Sequence, residues 1–154
     1  MCVLYFEVES LYLEGDAGFV PVISPIGTDK DGNTYNINAD YAASAVAGAL
    51  NAQKLVFMTD VDGIMRDKDD TDPLIKKLTR TEALKLIADG TINGGMIPKT
   101  ECCIDALDKG VKSVHVLDGR VPHSILLEIF TEDGIGTMLS YEGGEDGLRS
   151  DWKR

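Results

Sequence analysis

The chain has 154 residues, 44% of them hydrophobic, and a formal net charge of −11. That length suits one domain with a real core, the apolar fraction excludes a disordered chain, and the acidity argues against a nucleic-acid scaffold, which would carry a basic face. A small anionic ligand is still allowed, because local lysines and helix N-termini can hold one inside an acidic protein.

No stretch approaches the ~20 consecutive apolar residues of a membrane span. The start, MCVLYFEVESLYLEG, carries acids and no basic n-region, so it does not read as a signal peptide, and a cytoplasmic location is expected. Cys2, Cys102 and Cys103 lack metal-ligand spacing and read as packing thiols in a reducing compartment.

In chain order, FVPVIS (19–24) is a short apolar run, expected as a buried strand. TDKDGNTYNIN places an Asp31-Gly32 turn signal before a second extended run, the pattern of a hairpin. DYAASAVAGAL (40–50) is alanine-rich and helical, and KLVFMT (54–59) is a core strand ended by DVDG. In LTRTEALKLIADG, Thr79 and Glu82 have capping-box spacing, with Gly90 as the residue after the helix. A further helix runs from Ile97 to Lys109 and is closed by Gly110. KSVHVL (112–117) is a strand, HSILLEIF a short helix, GTMLS a last strand, and EGGEDGLRSDWKR a frayed tail. Strands alternating with helices predict a single α/β domain, a layered αβα sandwich with a largely parallel central sheet.

Three stretches carry candidate chemistry. In NINAD, Asn36 and Asn38 share a face of an extended segment and could converge on a carboxylate or amide; the same residues also read as a strand end with an Asn or Asp cap. In MTDVDG, Thr59 and Asp60 lie at the carboxyl end of a strand, where α/β sheets bind nucleotides, although Asp and Gly also make ordinary turns. GTINGGM spaces its glycines as a phosphate loop does, yet Met96 stands where that loop needs lysine. What is left is a glycine-rich approach to a helix N-terminus with Lys99 in its first turn. A cation there opposes the helix dipole by a few tenths to about 1 kcal/mol. Lys99 is therefore either a solvated surface lysine or the partner of an anion.

Taken in order, NINAD, MTDVDGI, LIADGTINGGMIPK, VHVLDGRVPHSILLEIF and GIGTM resemble the amino-acid kinase family, specifically the C-terminal, nucleotide-binding half of its acetylglutamate kinase branch, over Gly18 to Tyr141. The resemblance implies transfer of the γ-phosphoryl group of MgATP to the side-chain carboxylate of N-acetyl-L-glutamate, in arginine biosynthesis. It implies that Asn36 and Asn38 hold acetylglutamate, that Asp40 organises the lysines around the phosphoryl group, and that Lys99 is one of those lysines. Thr59, Asp60, Gly94, Gly95 and Met96 would contact ATP. Arginine as a feedback inhibitor would meet Lys54, His115, Glu128 and the backbone near Gly136, unless Glu128 is a plain exposed helix carboxylate. The resemblance also implies a homo-oligomer and leaves a PII-type signalling partner open, in the cytoplasm or, in a plant or alga, the plastid stroma.

The family's N-terminal half, with its glycine-rich phosphate loop and second lysine, has no counterpart in this sequence; residues 1–17 diverge and 142–154 form a tail. The expectation is a truncated chain with little activity alone. Two alternatives stand beside it: another family member acting on aspartate, glutamate or a nucleoside monophosphate, and a non-catalytic domain that binds arginine or a nucleotide.

Overall fold

β1 (Ile26–Thr28) and β2 (Thr34–Asn36) form an antiparallel hairpin in which Ile26 faces Asn36. The turn is organised by the Asp29 carboxylate, which accepts from the amides of Asp31 and Asn33 and from the Tyr35 hydroxyl at 2.8–2.9 Å. Bonds from the side chain and backbone of Asn33, then from Tyr35, hold the Asp29 carboxyl down at about 2. This is a computed structural model that describes residue 11, residues 15–66 and residues 73–141.

α1 (Ala39–Ala49) starts at Asn38, whose Oδ1 accepts from the Asp40 amide at 2.9 Å and caps the helix. It leads into β3 (Lys54–Thr59), one edge of a four-stranded sheet ordered β3-β5-β6-β4. β3 pairs in parallel with β5 (Ser113–Asp118), in register from Lys54–Ser113 to Thr59–Asp118. β4 (Lys77–Thr79) is parallel to β6 (Thr137–Ser140). β6 runs antiparallel to β5, so the sheet is two parallel pairs joined by one antiparallel seam.

α2 (Arg80–Ala88) carries the full capping box: Thr79 accepts from the Glu82 amide, and Glu82 reaches back to the Thr79 amide at 2.9 Å. α3 (Met96–Asp108) is the main buried helix, with Cys102, Cys103, Ala106 and Leu107 inside. α4 (Ser124–Phe130) follows β5.

Alternation along β5 divides the two helical layers. Val114 and Val116 join Phe57, Leu139, Cys103 and Leu107 in the main core. His115 points the other way, toward Glu128 of α4. The αβα sandwich expected from the sequence is therefore present. Among the described residues no helix is long and apolar enough to cross a membrane.

Two expectations need correction. FVPVIS is not a buried strand: residues 19–24 form no strand, and Phe19, Val20 and Val22 are 70%, 88% and 96% exposed. Pro21 removes one amide donor from the run, and no strand of the described sheet lies alongside it. Second, β4 precedes α2 where the sequence had suggested only a helix start; a three-residue strand shows little periodicity of its own and exists by pairing with β6. Cys2 and the tail from residue 142 lie outside the described residues.

Candidate functional site: a cleft beside the start of α3

The TINGG segment turns into α3 through Gly94, at φ +56°, a conformation that glycine adopts without strain. Gly95 is the cap residue, so α3 begins with no side-chain cap and no acid in its first turn. Its positive dipole end is left without the usual internal compensation.

Lys99 lies one turn in. Its Nζ donates to Asp40 Oδ2 at 2.7 Å, with the two side chains 21% and 31% exposed. Asp40 comes from the first turn of α1, and Asn38 caps the same turn. The anion beside Lys99 in this structure is thus Asp40. Asn36 ends β2 and is exposed, as is Asn38, whose Oδ1 is committed to the Asp40 amide. NINAD and Lys99 therefore come together through one ion pair.

At the α3 start lies an open cleft of about 570 Å³, within the range of small-molecule sites. It is lined by Val61, Gly63, Met65 and Arg66 after β3, by Gly90–Asn93, and by Met96. Met96 and Lys99 are three residues apart on α3 and so neighbours on its surface. Thr59 closes β3 with a hydroxyl that accepts from the Val61 amide at 3.0 Å and donates to the Val61 carbonyl at 2.7 Å. Asp60 is exposed on the loop that follows. Of the residues expected at a nucleotide, Met96 lines the cleft; Thr59, Asp60, Gly94 and Gly95 adjoin its walls along the chain.

The sequence reading missed Val61, Gly63, Met65 and Arg66. The strand-end rule could have been carried further along the loop to reach Val61 and Gly63. Met65 and Arg66 are placed by pairing with chain a few residues further on, through the Met65–Leu74 bridge and the bond from the Arg66 amide to the Pro73 carbonyl. Beyond the end of β5, Arg120 forks onto Asp118 through Nε at 2.9 Å and Nη2 at 2.8 Å. These bonds hold the Asp118 carboxyl below its usual range.

The residues expected for arginine also meet, on the opposite face of the sheet. His115 Nδ1 faces Glu128 Oε1 at 2.8 Å, and His115 Nε2 faces Ser113 Oγ at 3.2 Å and Lys54 Nζ at 3.5 Å. Glu128 Oε2 accepts from the amides of Ile135 and Gly136, each at 2.8 Å. Glu128 is thus a buried carboxylate engaged at both oxygens, not an exposed helix acid. Burial alone would raise its pKa, but the bond from His115 and those from Gly136 and Ile135 outweigh burial and hold it at about 2. Gly136 is required by close approach: a Cβ there would meet the Val116 carbonyl oxygen at 2.2 Å.

Cys102 and Cys103 are packing residues, their thiols pushed up by burial to about 11 and about 12. They have little thiolate with which to act as nucleophiles.

The sequence profile of the amino acid kinase family matches residues 7–118. An acetylglutamate kinase of Methanococcus aeolicus is 57% identical over 122 residues, 79% of this chain and 42% of that protein. One from Pelotomaculum thermopropionicum is 59% identical over 122 residues, again 79% of this chain and 41% of that protein. The chain thus spans about two fifths of the length of these curated relatives. Among solved structures, N-acetylglutamate synthase from Neisseria gonorrhoeae, complexed with coenzyme A and L-arginine, superposes with a TM-score of 0.81 at 33% identity. That match covers 88% of this chain and 31% of the synthase.

Proposed function

The chain belongs to the amino acid kinase family, and from that premise we propose that it carries the ATP-binding and phosphoryl-stabilising part of an acetylglutamate kinase. The observation that carries this reading is the position of α3. Its first turn forms a wall of the cleft through Met96 and holds the Lys99–Asp40 pair beside NINAD. One helix start would therefore serve both a nucleotide and an acceptor, with a cation beside them.

The cleft and the uncapped helix start suit MgATP, which supplies the transferable phosphoryl group. Its bond to the ADP oxygen breaks as a bond to an oxygen of the acetylglutamate side-chain carboxylate forms, giving ADP and an acyl phosphate. Lys99 would neutralise charge on the phosphoryl oxygens, Asp40 would aim Lys99, and Asn36 and Asn38 would hold the acetylglutamate. Thr59 and Asp60, with the Gly94–Met96 approach, would keep the nucleotide at the strand ends. Such a site works by positioning and electrostatics, with no nucleophile of its own.

Binding of MgATP to this chain, measured by calorimetry, is the test. Saturable binding that Lys99→Ala weakens supports the reading; no heat at millimolar nucleotide overturns it.

A second reading is favoured by the synthase complexed with L-arginine and by the convergence of Lys54, His115 and Glu128. Arginine would bind at this network and by the Gly136 loop, as a regulator. A thermal shift with arginine that Glu128→Gln abolishes supports it, and an unshifted melt refutes it.

A further inference from the structure

We infer that the Phe57 ring seats the Lys99 ammonium, making Phe57 a positioning residue for the phosphoryl-binding lysine; the inference rests on the nucleotide reading above. Phe57 lies on β3, opposite Val116, and is buried in the core between the sheet and the α1–α3 layer. Lys99 Nζ stands over its face, 5.5 Å from the ring centroid. That is within the ~6 Å over which an aromatic quadrupole attracts a cation.

The two neighbours of the ammonium do different work. Asp40 is an acceptor and takes one of the three N–H donors at 2.7 Å. The ring attracts the charge from below without occupying an acceptor's place. Asp40 therefore fixes the direction of the side chain and Phe57 its height above the strand, leaving donors for an anion on the partly exposed side. A second carboxylate in place of the ring would also hold Lys99, but it would repel the phosphoryl oxygens. An aliphatic residue would fill the core and give the ammonium nothing. A lysine in the first turn of a helix particularly needs such support, since the dipole opposes it.

The test replaces Phe57 in the 154-residue chain by mono-, di- and pentafluorophenylalanine, which keep the ring's shape while weakening and then reversing its quadrupole. Phe57→Leu is made alongside. Three quantities are read: the Hε shift of Lys99 in lysine-labelled protein, the Kd for Mg-AMP-PNP, and Tm. The expected result is an upfield Lys99 Hε resonance that Phe57→Leu returns to the range of the other lysines. Across the fluorinated series Tm should hold within a few degrees while Kd rises in steps to about three- to tenfold. An Hε shift that survives Phe57→Leu, or one Kd throughout a series with intact Tm, overturns the seating. Should the native chain bind no Mg-AMP-PNP, the nucleotide reading falls alone. The seating is then decided by whether fluorination increases the mobility of the Lys99 side chain.

Discussion

His115 Nδ1 stands 2.8 Å from Glu128 Oε1, with the two side chains only 2% and 3% exposed. The pair joins the centre of the sheet to α4, and Glu128 extends the connection to the Ile135 and Gly136 amides. The imidazole thus bridges a buried carboxylate and the Lys54 ammonium.

This arrangement predicts a specific acid sensitivity. The Glu128 pKa is lowered on folding from 4.5 to about 2, so its stabilisation is present above pH ~4.5 and is lost as pH falls toward 2. The loss is on the order of 3 kcal/mol at full protonation. Melting curves for the native chain and Glu128→Gln between pH 6 and 3 check this. Glu128→Gln should be the less stable protein at pH 6, and the gap should narrow on acidification. A gap that is constant with pH would mean that the charge on Glu128 does not matter.

Gly136→Ala should be severe for a purely steric reason. Its methyl would meet the Val116 carbonyl oxygen at 2.2 Å and Leu117 Cβ at 2.8 Å. Both belong to the central strand, so the β6 start must shift, at a cost of about 1–3 kcal/mol or more. Gly95→Ala is the control, because a Cβ there meets nothing within 4 Å. Chemical denaturation of the two variants should give clearly different midpoints.

Lys99 and Asn36 should separate in kinetics. In a chimera where residues 18–141 replace the matching part of a curated relative, Lys99→Ala should lower kcat by roughly 10²–10³ with a modest effect on KM for acetylglutamate. Asn36→Ala should raise that KM more than it lowers kcat. If Lys99 were a surface cation at a helix start, its removal would leave kinetics intact and slightly stabilise the helix. Equal turnover with a higher Tm would therefore reject the catalytic role.

Local signals were legible in the sequence and long-range placements were not. Asp31-Gly32 marked the hairpin, and Thr79 with Glu82 marked the start of α2, because each encodes its bonds within a few residues. The NINAD and Lys99 motifs were recognisable as motifs, and the structure supplies their 2.7 Å meeting. β4 escaped because Lys77–Thr79 becomes a strand only beside Met138–Ser140. FVPVIS misled because an apolar run carries no record of whether a partner covers it. Phe57 read as ordinary strand core; nothing in KLVFMT reveals that a lysine more than forty residues on would lie over its ring. The antiparallel direction of β6 was invisible for the same reason, since direction is set by where the chain has been.

The strand order also bears on how the chain reaches this state. Lys54 and Ser113 meet across 59 residues of sequence, and Ile64 and Thr137 across 73. β4 has no strand neighbour in the described sheet until β6 emerges. Closing such distant pairs must precede the stabilisation they bring, which slows folding relative to a helical bundle of equal size. The hairpin can form by local contacts, while the α1–α3 contacts, such as Lys99 with Asp40 across 59 residues, and the sheet wait for distant chain. Until β6 arrives, Leu78, buried in the finished fold, lacks its Leu139 partner, and the growing chain carries an open strand edge prone to intermolecular pairing.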